Sequence, residues 1–79
     1  MKSTTVYSQP DCPPCEVVKK FLAHHKITYQ EIDITKNKRE RERLINEYKA
    51  YSTPTIIIDE EIVKGFDLTK LANILNIEE

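Results

Sequence analysis

Two cysteines, Cys12 and Cys15, stand close together near the start of the chain, with Pro13 and Pro14 between them. A cysteine reacts as its thiolate, and two thiols at this spacing can form a reversible disulfide. The predicted chemistry is thiol-disulfide exchange, in which Cys12 attacks a substrate disulfide and Cys15 resolves the mixed disulfide. A purely structural role is the poorer interpretation, because a crosslink that closes so small a ring constrains little.

The cysteines lie where a predicted strand ends and a predicted helix begins. Unpaired N–H groups and a partial positive charge at a helix N-terminus favour a thiolate, and we expect Cys12 at the exposed N-cap. Pro14 has no N–H, so the N–H of Cys15 becomes the main backbone donor to Cys12. Asp11 and Glu16 add negative charge nearby. We therefore predict a Cys12 pKa in the upper part of the range of about 3.5 to 7.5 for activated thiols, and a reducing couple.

Other functions for these residues come from different classes. A zinc site usually has four ligands, and the remaining candidates, His24 and His25, are adjacent at the far end of the same helix. Consecutive residues of a helix point in different directions, which argues against a zinc site within one chain. The alternative hypothesis is a metal or iron-sulfur carrier that uses Cys12. A second alternative is a non-catalytic interaction domain that uses the charged stretch from Lys36 to Arg43, although such a stretch is usually a solvated helix face.

The composition excludes several classes of protein. The chain has 79 residues with 12 basic and 13 acidic side chains, so we expect one domain, residues 1–79, without an electrostatic surface for nucleic acid or an anionic membrane. Its one glycine cannot build a glycine-rich nucleotide loop. Met1 to Tyr7 lacks the pattern of a secretory signal, and no apolar run approaches the roughly 18 residues of a membrane span. We therefore expect a soluble cytoplasmic monomer, in a compartment where thiols are kept reduced.

The apolar patterning predicts the order β, α, β, α, β, β, α. Strands joined through a helix are normally parallel, and the last two strands form an antiparallel hairpin around Asp59-Glu60. The predicted fold class is α/β, with a mixed four-stranded sheet between helices in three layers. The predicted strands are residues 3–8, 27–34, 54–58 and 61–63, and the predicted helices are 13–25, 36–50 and one that begins after an Asp67 cap.

Three segments carry a resemblance to a known family. They are Thr5-Val6-Tyr7-Ser8 leading into Cys12-Pro13-Pro14-Cys15, then Ser52-Thr53-Pro54-Thr55-Ile56, then Gly65-Phe66-Asp67. In this order, and over nearly the whole chain, they resemble the glutaredoxin branch of the thioredoxin superfamily. The resemblance implies a thioredoxin-like fold and a dithiol-disulfide oxidoreductase that reduces protein or small-molecule disulfides.

The resemblance also implies a role for Thr53 and Pro54. In the family the proline that matches Pro54 is cis and faces the active-site disulfide. It would turn the backbone N–H and C=O of Thr53 outward, to pair with an extended substrate segment as an added strand would. The residues alone leave open a trans proline at the start of an edge strand.

The turn Gly65-Phe66-Asp67 has two interpretations. By resemblance it holds the γ-glutamyl end of glutathione. By residue type Gly65 supplies a positive φ or permits close backbone approach, and Asp67 caps the last helix. Phe66 and Tyr7 are candidates for an apolar rim around the site, although core packing is the more common role of aromatic residues.

Three residues depart from the glutaredoxin pattern. Gln9 stands where many members carry lysine or arginine, Pro14 replaces a common aromatic residue, and Gly65-Phe66 replaces paired glycines. Each change removes a feature suited to glutathione, so we expect no bound cofactor and glutathione at most as a co-substrate. Similar short redoxins serve ribonucleotide reductase and accept electrons from thioredoxin reductase. The candidate substrate-binding residues are Gln9, Pro13, Thr53, Pro54, Gly65, Phe66 and Asp67.

Overall fold

A computed structural model describes residues 3–77, so Met1, Lys2, Glu78 and Glu79 of the predicted domain lie outside the described residues. The predicted order of elements is confirmed. They are β1 (Thr4–Ser8), α1 (Pro13–His24), β2 (Gln30–Asp33), α2 (Lys38–Asn46), β3 (Thr55–Ile58), β4 (Glu61–Lys64) and α3 (Leu68–Leu75). Within the described part of the chain, no helix is long and apolar enough to cross a membrane.

The strands form the predicted mixed four-stranded sheet in the order β2-β1-β3-β4. β2 is parallel to β1, while β3 is antiparallel to both β1 and β4. Successive side chains of a strand point to opposite faces, so the two faces of the sheet bury separate clusters. One cluster joins the sheet to α1 and α3 through Val6, Ile56, Ile58, Val63, Val18, Leu22 and Leu71. The other joins it to α2 through Tyr7, Ile57, Leu44 and Ala50.

The second strand is shorter than predicted, because residues 27–29 close helix α1 instead. Lys26 has a φ of +58°, its N–H donates to the Ala23 carbonyl at 3.0 Å, and the N–H of Ile27 donates to the Leu22 carbonyl at 2.9 Å. This pair of bonds is the Schellman motif that ends many helices. The prediction of strand at 27–29 was wrong because the apolar Ile27 packs against the α1 cluster from a helix end.

Helix α2 is also shorter than the predicted range 36–50. It begins after Asn37, whose side-chain oxygen accepts a hydrogen bond from the N–H of Glu40 at 3.1 Å. Beyond the helix, Lys49 has a φ of +54° and the N–H of Ala50 donates to the Leu44 carbonyl at 3.1 Å. This turn places Ala50 in the core at 2 % exposure, which a continued helix would not do.

The topology brings four chain segments to one edge of the sheet. Helices α1 and α2 follow the parallel strands β1 and β2, so both begin at the same edge. Strand β3 is antiparallel to β1 and therefore starts there, with Thr55 paired to Tyr7. Strand β4 ends there, with Lys64 paired to Thr55. Cys12, Pro54 and Gly65 consequently meet at one end of the molecule.

Candidate active site

The two cysteines form a disulfide at the start of α1, with their Cα atoms 5.2 Å apart. Cys12 is the N-cap in an extended conformation, and prolines occupy the first two helical positions. The N–H of Cys15 donates to Sγ of Cys12 at 3.2 Å. The predicted N-cap and its backbone donor are therefore confirmed, since Pro14 has no N–H to offer.

Cys12 is less exposed than predicted. It exposes 8 % of its surface, against 1 % for Cys15. Thr53 covers Cys12, because its Oγ1 lies 3.6 Å from Sγ of Cys12. A substrate disulfide approaching from solvent would still reach Cys12 before Cys15.

The segment that covers Cys12 is tied to the turn after β4. The Thr53-Pro54 peptide is cis, as the resemblance implied, and Pro54 is buried. The N–H of Gly65 donates to the carbonyl of Pro54 at 2.8 Å. Within the covering segment, the Thr55 hydroxyl donates to the Ser52 carbonyl at 2.9 Å. These bonds bring Thr53, Pro54 and Gly65 together beside the disulfide.

The glycine turn supplies a backbone conformation and leaves open space. Gly65 has a φ of +81°, and a Cβ added to it would meet no atom of the described residues within 4 Å. The positive φ is therefore what favours glycine here, and close approach of another part of the chain is not. The Asp67 carboxylate caps α3 by accepting a bond from the N–H of Lys70 at 3.0 Å. Phe66 between them is 57 % exposed.

Tyr7 belongs to the core, so the interpretation of Tyr7 as part of an apolar rim was wrong. It is 2 % exposed in the cluster beneath α2, and its hydroxyl donates to Oε2 of Glu40 at 2.9 Å. Burial, followed by this hydrogen bond, raises the pKa of Tyr7. The contact holds the first turn of α2 against the end of β1.

A polar network fixes the end of β1 on the face of the sheet that α1 covers, opposite to Tyr7. The buried Ser8 hydroxyl donates to Oε2 of Glu31 at 2.7 Å, and the ammonium of Lys19 lies 2.8 Å from the same oxygen. Lys19 also pairs with Glu16 at 2.9 Å. Hydrogen bonds from Lys19 and then from Ser8 hold the pKa of Glu31 below its ordinary value. Because the network joins β1, β2 and α1, it sets where the loop to Cys12 leaves the sheet. Sequence reasoning missed it.

A groove, which we name the α2 groove, runs from the start of α2 to the segment that covers Cys12. It consists of two cavities of about 360 and 400 Å³ that share Gln9, Ile34 and Arg41 in their walls. The first continues to Lys38 and the second to Thr53. The predicted candidates Gln9 and Thr53 therefore line one continuous surface.

A third cavity, which shares no lining residue with the α2 groove, lies at the disulfide, where Cys12 and Pro13 share about 400 Å³ with Asp11 and Glu16. Sequence reasoning singled out Pro13 but missed Arg41 and Ile34 of the α2 groove. The available signal was topological, since helices that follow parallel strands start at the same edge of a sheet.

The two histidines lie away from the cysteines. His24 and His25 are at the end of α1, with ring centroids 4.9 Å apart, and His25 also packs edge-on against Phe21 at 4.7 Å. Among residues 3–77, no three His, Cys, Asp or Glu side chains are grouped so that they could hold a metal ion.

The family follows from comparison with known proteins. Residues 4–63 match the family model described as glutaredoxin. The chain belongs to the glutaredoxin family. Glutaredoxins are dithiol oxidoreductases, so the chain is a dithiol-disulfide oxidoreductase with Cys12 and Cys15 as its redox-active pair. The prediction of family and enzyme class is confirmed.

Individual glutaredoxin relatives agree with this assignment. The glutaredoxin-like protein NrdH of Lactococcus lactis is 36 % identical over 70 residues, which cover 89 % of this chain and 96 % of that protein. Glutaredoxin 3 of Escherichia coli is 30 % identical, with 85 % of this chain and 81 % of that protein covered. The thioredoxin-like protein BC3987 is known from a crystal structure of a mutant, whose sequence is 52 % identical to this chain. The two structures superpose with a TM-score of 0.93, over 99 % of this chain and 100 % of that chain. The predicted thioredoxin-like fold is confirmed.

Restoring the backbone donor that Pro14 removes should make this glutaredoxin less reducing. In Pro14→Ala a second N–H can donate to the Cys12 thiolate, because N-cap acceptors bond the second or third helical residue. We expect the Cys12 pKa to fall by about one unit, and the reduction potential to rise by up to about 30 mV. Thiolate absorbance against pH and equilibration with a dithiol buffer measure the two quantities.

The matched control is Pro13→Ala, which restores an N–H at the first helical position. That N–H does not reach the N-cap side chain, so both quantities should stay near their original values. Equal shifts in the two variants would contradict the hydrogen-bond explanation.

Proposed function

We propose that this glutaredoxin is a dithiol electron donor that reduces disulfides of a protein partner. The observation that carries the proposal is the N-cap arrangement. Cys12 accepts a hydrogen bond from the N–H of Cys15 at 3.2 Å, while the sulfur of Cys15 is held one turn inside the helix. A helix N-terminus stabilises a thiolate at Cys12, and a second thiol within reach can displace whatever Cys12 captures.

Each reaction cycle transfers two electrons. The Cys12 thiolate attacks one sulfur of the substrate disulfide, which forms a mixed disulfide and releases the other substrate sulfur as a thiolate that takes up a proton. Cys15, as its thiolate, then attacks Sγ of Cys12. This step forms the Cys12–Cys15 disulfide and releases the second substrate sulfur, which also takes up a proton. The substrate is reduced by two electrons, and the enzyme is oxidised by two.

The substrate would lie across the segment that covers Cys12. In the proposal the backbone of Thr53 pairs with an extended substrate strand, while Pro13 and Gln9 flank the disulfide on either side. Pro54 holds Thr53 in place through its hydrogen bond from Gly65, at 2.8 Å. The turn from Gly65 to Asp67 offers open space and the exposed ring of Phe66 at the end of this surface.

We further propose that thioredoxin reductase, and not glutathione, returns the electrons. Gln9 offers no positive charge to a glutathione carboxylate, and Pro14 offers no aromatic ring beside the disulfide. The resemblance to short redoxins that accept electrons from thioredoxin reductase supports this route. The protein substrate would be of the ribonucleotide reductase class. A single domain of residues 1–79, a monomeric state and a cytoplasmic location belong to the same proposal.

The test compares two sources of electrons at the same enzyme concentration. One assay couples NADPH to a model protein disulfide through thioredoxin reductase, and the other through glutathione and glutathione reductase. We expect turnover at least about tenfold faster in the first, with Cys12→Ser giving the background in both. Turnover that is strong with glutathione alone would overturn the proposed route, and absence of turnover in both assays would overturn the electron-donor role.

A further inference from the structure

The α2 groove carries two basic side chains whose charges are not neutralised by the chain. Lys38 and Arg41 line its walls, and neither has a carboxylate oxygen within 4.0 Å among residues 3–77. Two other basic residues of the fold are paired, since Lys19 contacts Glu16 and Glu31, and Arg43 contacts Glu40 and Glu47. Lys38 and Arg41 differ from Lys19 and Arg43 in lacking such a partner, and they differ from the exposed Arg39 in lining the groove that leads to the disulfide.

The rest of the groove suits an extended peptide segment. Ile34 and Leu44 give it apolar wall, Gln9 and Ser52 give it hydrogen-bonding groups, and neither of its cavities has an acidic residue in its lining. It ends at Thr53, whose hydroxyl oxygen is 3.6 Å from Sγ of Cys12. A segment bound here would place its cysteine at the reactive sulfur and its neighbouring residues beside Arg41.

Acidic residues stand beside the disulfide itself. There the cavity that contains Cys12 and Pro13 is lined by Asp11 and Glu16. Glu16 is paired with Lys19, so Asp11 is the charge there that would repel an acidic residue of a substrate, whereas the α2 groove would attract it. The charge pattern therefore distinguishes one orientation of a bound segment from the reverse.

We propose that Lys38 and Arg41 select protein substrates that carry an acidic residue close to the cysteine that Cys12 attacks. The inference rests on the proposed function, and it names the substrate class as an acidic, extended, disulfide-bearing protein segment. Arg41 is the main determinant, because it belongs to both cavities of the groove, whereas Lys38 belongs to the outer one. Both are positioned to bind the segment and not to take part in the exchange of sulfur atoms.

The test uses two synthetic disulfide-linked peptides that differ in one residue near the cysteine, glutamate in one and lysine in the other. We expect the original protein to reduce the glutamate peptide with a higher kcat/KM, by about three- to tenfold, as an exposed charge contact would give. Arg41→Gln should lower this preference at least about threefold through KM, and Lys38→Gln should have a smaller effect. Raising the salt concentration should weaken the preference as well.

Arg39→Gln is the matched control. Arg39 is on the same helix, is exposed, and lies outside the walls of both cavities. Glutamine is a good helix former, so the two arginine variants remove one charge each at similar cost to the helix. Equal effects of Arg39→Gln and Arg41→Gln would show a general effect of net charge and would overturn the proposal.

A neutral disulfide, bis(2-hydroxyethyl) disulfide, separates this inference from the proposed function. The original protein and the Arg39→Gln control should both reduce it, and an original protein that reduces it without preferring the glutamate peptide would overturn the inference alone. Glutathione disulfide is the remaining arm of the test. If Arg41→Gln slows only the reduction of glutathione disulfide, the groove serves a small peptide and the proposal of a protein segment fails.

Discussion

Cys12→Ser is expected to abolish disulfide reduction, with turnover at least about a thousandfold below that of the original protein. A serine hydroxyl neither forms a thiolate nor captures a sulfur atom, so the first step is lost. Steady-state reduction of a model disulfide, with the thioredoxin reductase couple in excess, measures the loss. Full turnover would contradict the assignment of Cys12 as the attacking thiol.

Cys15→Ser is the companion variant, and it should fail at a different step. Cys12 can still attack, but a serine at position 15 cannot release the substrate, so the mixed disulfide accumulates. Mass spectrometry after mixing with a disulfide-linked peptide should show one peptide bound to each protein molecule. Finding no adduct would contradict the assignment of Cys12 as the attacking residue, and an adduct on Cys12→Ser but not on Cys15→Ser would reverse the two roles.

Ile56→Ala is expected to remove most of the free energy of unfolding. Ile56 is fully buried in β3, between Val6 of β1 and Val63 of β4. Truncation of such a side chain typically costs about 2 to 5 kcal/mol. A single core in a chain of this size rarely contributes more than about 3 to 5 kcal/mol of stability. Urea titration followed by circular dichroism should show a transition at or near zero denaturant.

The matched control for this variant is Val17→Ala on α1. The helical spacing groups Val17 with the inward-facing residues of α1, yet it is 43 % exposed. Its truncation should therefore change the free energy of unfolding by no more than about 0.5 kcal/mol. A loss below about 1 kcal/mol for Ile56→Ala would mean that the core is more tolerant than its burial indicates.

The local parts of the site could be predicted from the sequence because they depend on residues that are close together in the chain. The N-cap of α1 follows from one cysteine, two prolines and the cysteine that ends the motif. The Asp67 cap follows in the same way from one side chain and the N–H of Lys70, 3.0 Å away. The order of the elements follows likewise from apolar runs that are separated by turn residues.

The parts that sequence reasoning missed depend on distant segments. Nothing close to Ser8 in the chain indicates that its hydroxyl meets Glu31, 23 residues further on. The end of α2 is set by the burial of Ala50 beneath the sheet, which overrides the helix-favouring residues of this stretch. The α2 groove likewise depends on helices α1 and α2 beginning at the same edge of the sheet. The sequence alone does not show which charged residues of α2 line this groove, so it could not distinguish Arg41 from its neighbours.

The outermost strand β2 also bears on how the protein behaves when it is concentrated. An exposed strand edge is a template on which a second copy can add, and this strand carries Glu31 and Asp33. Hydrogen bonds from Thr35 hold the pKa of Asp33 below its ordinary value, as Lys19 and Ser8 do for Glu31. Both carboxylates therefore keep their charge into mildly acidic solution. Lys19 offsets the charge of Glu31, so the Asp33 carboxylate supplies the repulsion between two copies that meet along β2. We therefore expect the same strand that helps to place the active-site loop also to disfavour pairing with a second copy along its edge.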